Sequence, residues 1–303
     1  MRLNIRWAVG PVIAALLVAC GETPEASTAN RLQVVATTTQ VGSVASEIGG
    51  ADIDLTVLLR AGEEAHDFEL TPAAAAAIEE ADLILVSGAG LETWLDDALA
   101  TIGDPDAVRD TSEGVQIRAA ADGETDPHYW LSGPNAIVMV ENVRDALIAA
   151  DAESTDGFAT RAGELAARIE AADADVRRLL GEIPEARRGI VTNHDALGYF
   201  IDEYGLRFVG SVFPSLDVSA EPNPAQLAEL IEVLRAEGVT AVFSESAVSP
   251  RLAQAIAAEA GATVVDEPLY TDSLGPERSG AETLDGMLLH NGRVIHDALV
   301  GSS

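Results

Sequence analysis

Short strand-like runs alternate with helical patterns along most of the chain, and this alternation constrains the fold more than any other feature. β-strands that alternate with helices are typical of parallel α/β sheets. In the first half, the strand patterns are at 32–38, 53–59 and 82–88, and the helical patterns are at 40–50, 71–81 and 91–100. In the second half, the strand patterns are at 188–193, 206–213, 240–245 and 262–267, and the helical patterns are at 195–205, 224–238 and 249–261.

A proline-free segment at 152–183, rich in Ala, Leu, Glu and Arg, separates the two halves. As one helix it would extend about 45 Å, long enough to run along both halves. Gly157 and Gly163 weaken its first third, so we expect the helix to begin later than residue 152. The sequence predicts an α/β fold of two lobes, each a parallel β-sheet flanked by helices, joined by one long backbone helix. The predicted limits are 32–150, 151–183 and 184–303.

The first residues predict a targeting segment and not part of the fold. Two arginines precede the apolar run "WAVGPVIAALLVA", which is too short for a membrane span of about 20 residues. The "LVAC" that ends it resembles a bacterial lipobox, which predicts a signal peptide at 1–19, a lipid-modified Cys20 and a flexible tether at 20–31. The protein would then be extracytoplasmic, in the periplasm or on the cell surface. A plain secretory signal is the alternative.

The composition is strongly acidic, with a formal net charge of −32 at pH 7. Such a charge repels nucleic acid phosphates, so we expect no nucleic acid partner. It draws cations toward the surface. Adaptation to a salty or acidic habitat is the alternative explanation.

Three histidines and one aspartate are candidates for a metal site. His66 follows a predicted strand and His194 ends another, and the carboxyl ends of strands are where ligands bind in open α/β sheets. His128, followed by an aromatic pair, lies in the loop "ETDPHYWL", and Asp272 follows the last predicted strand. Three imidazoles and a carboxylate suit a divalent transition metal. Their spacing forms no compact motif, and each histidine alone is more often an ordinary polar residue.

Other acidic and histidine side chains lie near these candidates or outside them. Glu245 ends a predicted strand and is either an acceptor that orients an imidazole or a helix cap. Asp126 and Asp195 neighbour candidate ligands. They are either acceptors of the same kind or, as we expect, exposed loop acids. His290 and His296 are expected on the solvated side of the terminal helix.

The chain resembles the periplasmic or lipid-anchored metal-binding proteins of bacterial ABC importers for zinc and manganese. The resemblance implies two α/β lobes joined by a long helix and one metal ion held by His66, His128, His194 and Asp272. It also implies capture without catalysis, a monomer, and an ABC permease as partner. The matching pieces are "VVATTTQVGSVASEIGG", "AGEEAHDFELTP", "ADLILVSGAGLETWLDDAL", "DPHYWLSGPNAI", "TNHDALGYFIDEYGL" and "YTDSLG".

The resemblance also bears on the choice of metal. Manganese-selective members typically have a carboxylate as third ligand, whereas this chain has His194, so zinc is favoured and manganese is the alternative. The histidine-rich loop of many zinc-specific members is absent from the acidic segment 101–127. The family usually has prolines where this chain has Ala65 and Leu70, which bears on the rigidity of the His66 loop.

Three other functions remain open at this point. A secreted metal-dependent hydrolase would need an open coordination position for water, which a fourth protein ligand would fill. An adhesin-like lipoprotein is compatible with the family, although no residue favours it. A haem- or siderophore-binding protein would need more arginines and aromatics than this chain supplies.

Overall fold

The computed structural model describes residues 31–66, 68–95, 105–119, 123–213 and 222–301. The predicted signal peptide, Cys20 and nearly all of the predicted tether lie outside the described residues, as does half of the helix predicted at 91–100. Within the described ranges, no helix has the length and apolar character needed to cross a membrane.

A four-stranded parallel sheet forms the first half, in the spatial order β2-β1-β3-β4. In the central strand, Val34 pairs with Leu55 on one side and Leu83 on the other. The first three strands were predicted; β4, with the sequence VRD, was not, because it is partly exposed and holds two charged residues instead of an apolar run. The bounds are β1 Leu32–Ala36, β2 Ile53–Val57, β3 Leu83–Val86 and β4 Val108–Asp110.

Two helices connect these strands, α1 (Thr39–Gly49) and α2 (Pro72–Glu80). Each is capped by a threonine side chain that accepts a backbone N–H of the first turn, Thr38 for α1 and Thr71 for α2. The predicted start of α2, a threonine cap followed by proline, is therefore confirmed.

Helix α3 (Gly133–Ala150) leads into the long helix α4 (Thr155–Gly181), which is about 40 Å long. The helix begins at Thr155, three residues after the start of the predicted segment, but the two glycines do not delay it further, since α4 contains both Gly157 and Gly163. Each glycine costs about 1 kcal/mol in a helix. Burial of one face of α4, which begins with Phe158, outweighs that cost because tertiary packing supplies most helical stability.

The second half repeats the strand order of the first. Strands β7 and β8 pair in parallel, as do β9 and β10. A parallel bridge between Thr192 and Phe243 joins β7 to the chain just after β9, which gives the spatial order β8-β7-β9-β10. The predicted fold class is confirmed, while the exact lobe limits stay a prediction. The bounds are β7 Gly189–His194, β8 Arg207–Phe213, β9 Ala241–Val242 and β10 Thr263–Val264. Two short strands of the first half, β5 (Arg118–Ala119) and β6 (Thr125–Asp126), form a separate antiparallel pair.

Helices of the second half end as predicted, at glycines in the left-handed conformation. Gly205, Gly238 and Gly261 have φ values of 66°, 65° and 82°. The helices are α5 Gly198–Tyr204, α6 Pro224–Glu237, α7 Arg251–Ala260 and α8 Leu284–Gly301.

The terminal helix α8 packs closely on the long helix, because a Cβ on Gly292 would meet the side chain of Val176 at 3.0 Å. The expected solvated position of His290 was wrong. This imidazole is buried, stacks near Tyr270 with ring centroids 4.8 Å apart, and its Nε2 contacts the carbonyl of Pro268 at 2.9 Å. His296 is partly buried.

Because Gly163 is exposed on α4 and a Cβ there would have open space around it, Gly163→Ala should stabilise the protein by about 0.5–1 kcal/mol. Denaturant unfolding of the metal-free protein measures this change. Phe158→Ala on the buried face of the same helix should destabilise by about 3–5 kcal/mol. Equal effects of the two substitutions would contradict the account of α4 given above.

Candidate metal centre

Three imidazoles, far apart in the sequence, meet in the folded chain. His128 and His194 are buried and His66 is half-buried. Their ring centroids are 5.3 Å (His66 to His128), 5.6 Å (His128 to His194) and 6.2 Å (His66 to His194) apart. Nε2 of His66 is 3.3 Å from Nε2 of His128. Each ring offers a nitrogen within 4.8 Å of the others, so one small cation can contact all three.

The carboxylate of Asp272 completes this group. Its Oδ1 is 3.0 Å from Nε2 of His128, and its Oδ2 is 3.5 Å from Nδ1 of His194. Asp272 is 1% exposed, and among the described residues Oδ2 has no hydrogen-bond partner. A buried carboxylate oxygen without a partner is costly, and a bound cation would remove that cost. The four predicted ligands therefore converge, and their donor set fits a divalent transition metal.

The topology explains the convergence. His66 follows β2, His194 is the last residue of β7, and Asp272 follows β10. The carboxyl ends of parallel strands lie at one edge of each sheet, which brings these loops together. His128 lies between β6 and α3, where a short 3₁₀ turn holds the next three residues. Both halves of the chain thus contribute donors.

His128 is held on two sides. Oδ1 of Asp126 is 2.8 Å from Nδ1 of His128 and also accepts its backbone N–H. The expectation that Asp126 is an exposed loop acid was wrong, since it is fully buried, and Arg118 contacts its Oδ2 at 3.1 Å. Trp130 packs edge-on against the His128 ring and donates its indole N–H to the carbonyl of Thr271. Trp130 therefore ties the His128 loop to the Asp272 loop.

His194 has a carboxylate partner of its own. Oε2 of Glu245 is 3.1 Å from Nδ1 of His194, and its Oε1 accepts the His194 backbone N–H. The hydroxyl of Thr271 donates to the same Oε2 at 2.6 Å. A donor hydrogen on Nδ1 leaves the Nε2 lone pair of a neutral imidazole for a metal. Asp195, next along the chain, is half-buried, and burial raises its pKa, with a further contribution from the charge of Asp126.

The charges of the cluster shift its pKa values. Burial alone would lower the pKa of His128, but its hydrogen bonds to Asp126 and Asp272 and their negative charges raise it to about 9. Burial alone would raise the pKa of Asp272. The charge of His194, the hydrogen bond with His128 and the charges of His128 and His66 together hold it well below its usual range. Without a metal, a proton on His128 balances these two carboxylates.

Ala65 and Leu70 stand where the family usually has prolines. In this chain, side-chain contacts hold the His66 loop instead. The indole N–H of Trp94 donates to the carbonyl of Ala65 at 2.9 Å, and the Trp94 ring packs against Phe68. This role of Trp94 was not predicted from the sequence, because a lone tryptophan in a helical pattern is usually a core residue.

One further acidic residue near the cluster was not singled out from the sequence. A carboxylate oxygen of Glu64, a nitrogen of His66 and an oxygen of Asp272 all lie within 4.8 Å of one another. The signal in the sequence that could have identified Glu64 was its position two residues before the candidate ligand His66.

Comparison with known proteins agrees with this geometry. The family described as "Zinc-uptake complex component A periplasmic" matches residues 34–298. The manganese-binding lipoprotein MntA of Bacillus subtilis is 32% identical over 292 residues, which cover 93% of this chain and 95% of that protein. The iron-binding protein YfeA of Yersinia pestis is 32% identical over 270 residues, with coverage of 88% and 85%.

A solved structure extends the similarity to the whole fold. The periplasmic zinc-binding protein TroA of Treponema pallidum superposes with a TM-score of 0.84 at 26% identity, covering 89% of this chain and 99% of that one. The relatives are named for manganese, iron and zinc, so the shared property is the binding of a transition metal. The chain belongs to the family of zinc-uptake component A, the metal-binding proteins that serve bacterial ABC importers.

Proposed function

We propose that this protein captures one divalent metal ion with His66, His128, His194 and Asp272 and delivers it to an ABC permease. The observation that carries the proposal is the buried carboxylate of Asp272. One of its oxygens lacks a hydrogen-bond partner among the described residues, and its two oxygens lie 3.0 Å from Nε2 of His128 and 3.5 Å from Nδ1 of His194. Four protein donors enclose the ion and leave no open position for a reacting water, so the role is capture and not catalysis.

Zinc is the proposed cargo if only these four residues bind the ion. Three nitrogen donors and one oxygen donor match the four-coordinate shell that zinc prefers. Asp126 and Glu245 supply the carboxylates that orient two of the imidazoles, an arrangement common around zinc-bound histidine. Manganese is the alternative cargo, and the names of the relatives support either metal.

Lipid anchoring and a monomeric state complete the proposal. Relatives from Bacillus subtilis and Streptococcus pyogenes are named lipoproteins, and Cys20 here ends the lipobox-like "LVAC". The anchor would hold the protein outside the cytoplasm and close to its permease.

Asp272→Asn retains the shape of the side chain and removes its charge, so it should weaken zinc binding by more than about 100-fold, beyond the range found for residues that only orient a ligand. Competition titration against a chromophoric chelator measures the affinity, and elemental analysis measures the stoichiometry. His296→Ala, a histidine substitution outside the cluster, should leave both unchanged. Equal zinc binding by Asp272→Asn and the natural protein would reject the four-ligand site.

Metal affinity should rise with pH, by up to about tenfold per unit, until pH 9. The ion must displace the proton of His128, whose pKa is about 9, so binding releases a proton across this range. An ordinary imidazole would confine the loss of affinity to below about pH 6. Titrations between pH 6 and pH 9 distinguish the two, and a flat profile would contradict the raised pKa.

The proton on His128 gives the stability of the metal-free protein a pH dependence opposite to that of metal affinity. The pKa of His128 is higher in the folded chain than its usual value of 6.5, so its protonation stabilises the metal-free protein below pH 6.5. That contribution is lost as the pH rises to 9. Thermal unfolding of the metal-free protein should therefore show a Tm that falls from pH 6.5 to 9, and His128→Gln should flatten this part of the profile.

Cys20→Ala should move the protein from the membrane fraction to the soluble extracytoplasmic fraction, because the proposed anchor is the lipid on this thiol. Fractionation and the mass of the N-terminal peptide measure the outcome. Membrane retention of the variant would point to a different attachment.

A further inference from the structure

We infer that Glu64 is a fifth metal ligand, which adapts the site to ions that take more oxygen donors than zinc, such as Mn²⁺ and Fe²⁺. The inference rests on the four-ligand site proposed above and refines its choice of metal. It concerns a residue outside the ligand set that the sequence predicted.

Glu64 lies within ligand distance of two of the proposed donors. One of its carboxylate oxygens, a nitrogen of His66 and an oxygen of Asp272 lie within 4.8 Å of one another. Metal–nitrogen and metal–oxygen bonds of about 2.0–2.2 Å place two donors on one ion no more than about 4.4 Å apart. A shift of a few tenths of an ångström therefore brings all three onto one ion. Glu64 and His66 are both half-buried, on the more accessible side of the cluster.

The hydrogen bonds of Glu64 are compatible with metal binding. Both of its oxygens contact the same backbone N–H of His66, at 3.2 and 3.1 Å. One oxygen is enough to accept this N–H, so the His66 N–H contact is compatible with the other oxygen binding an ion.

The loop that carries Glu64 is also fixed to the loop that carries Asp272. The backbone N–H of Gly62 donates to Oγ of Ser273 at 2.8 Å. Gly62 has a φ of 84°, a left-handed conformation that favours glycine and turns the chain here. The indole of Trp94 holds the following Ala65 carbonyl. Glu64 and Asp272 are therefore kept near each other by contacts that do not depend on the ion.

Charge and coordination number explain what the fifth donor would change. Asp272 is the single anionic residue among the four proposed ligands, so the carboxylate of Glu64 would add a second negative charge in contact with the ion. Zinc is satisfied by four ligands, whereas carboxylate oxygens and higher coordination numbers suit harder ions such as Mn²⁺. Loss of Glu64 should therefore weaken Mn²⁺ binding more than Zn²⁺ binding.

The test compares Glu64→Gln with Glu63→Gln in the full chain, stripped of metal and titrated separately with Mn²⁺ and Zn²⁺. Glu63 is a matched control, because its carboxylate also accepts a backbone N–H of this loop, that of Arg60 at 2.8 Å, and its removal changes the net charge equally. Glu64→Gln should weaken Mn²⁺ binding by about 10- to 100-fold and Zn²⁺ binding by less than tenfold. Glu63→Gln should change neither.

A second variant separates direct ligation from a general effect of charge. Glu64→Asp retains the charge and can still accept the His66 N–H, but it is one methylene shorter. Direct ligation predicts that it weakens Mn²⁺ binding as Glu64→Gln does, whereas a purely electrostatic role predicts affinity equal to that of the natural protein. Bound Co²⁺ provides a spectroscopic measure, since its visible absorption is stronger in four-coordinate than in five-coordinate sites. Its intensity should rise in both Glu64 variants.

Titration of Asp272→Asn under the same conditions distinguishes failure of the fifth-ligand hypothesis from failure of the four-ligand hypothesis. If it loses binding while Glu64→Gln matches the natural protein in affinity and Co²⁺ spectrum, the fifth ligand is rejected and the four-ligand site stands. If Asp272→Asn binds as the natural protein does, or if the natural protein binds neither ion, both hypotheses are rejected.

Discussion

The close approach of Asp272 to His128 inside the protein is the interaction on which the rest of the site depends. Both side chains are buried, and a second carboxylate, Asp126, contacts the other nitrogen of the same imidazole. Buried charges are tolerated only when they are paired. In the metal-free chain, a protonated His128 lies between the two carboxylates and Arg118 contacts Asp126, yet one oxygen of Asp272 keeps no hydrogen-bond partner among the described residues. That oxygen is the part of the cluster that the protein's own donors leave unsatisfied.

The fold maintains this arrangement by tying the loops to each other. Trp130 connects the His128 loop to the carbonyl of Thr271, and the hydroxyl of Thr271 contacts Glu245, which holds His194. Donors from both halves of the chain are therefore joined through one residue next to Asp272. These side chains are already ordered in the folded protein, so binding of an ion would cost little further conformational entropy.

Sequence patterns predicted the elements and the four candidate ligands because both depend on local signals. Strand-like runs and glycine-terminated helices are visible in the chain, and His66 and His194 each lie near a strand end. Burial is different, because it depends on what the rest of the chain covers. Asp126 and His290 looked like surface residues, yet both are buried, and Arg118 and the carbonyl of Pro268 contact them from other segments. The proposed role of Glu64 likewise depends on Asp272, more than two hundred residues away.

The proton on His128 connects capture with release. In the metal-free site this proton partly neutralises Asp126 and Asp272, and a divalent ion does the same with more charge once the proton leaves. Capture is therefore an exchange between a proton and a metal ion within the same buried cluster. Delivery requires the reverse, because removal of the ion would expose two buried carboxylates to each other. In the proposed function, return of the proton to His128 would restore their balance, so protonation would favour release of the ion.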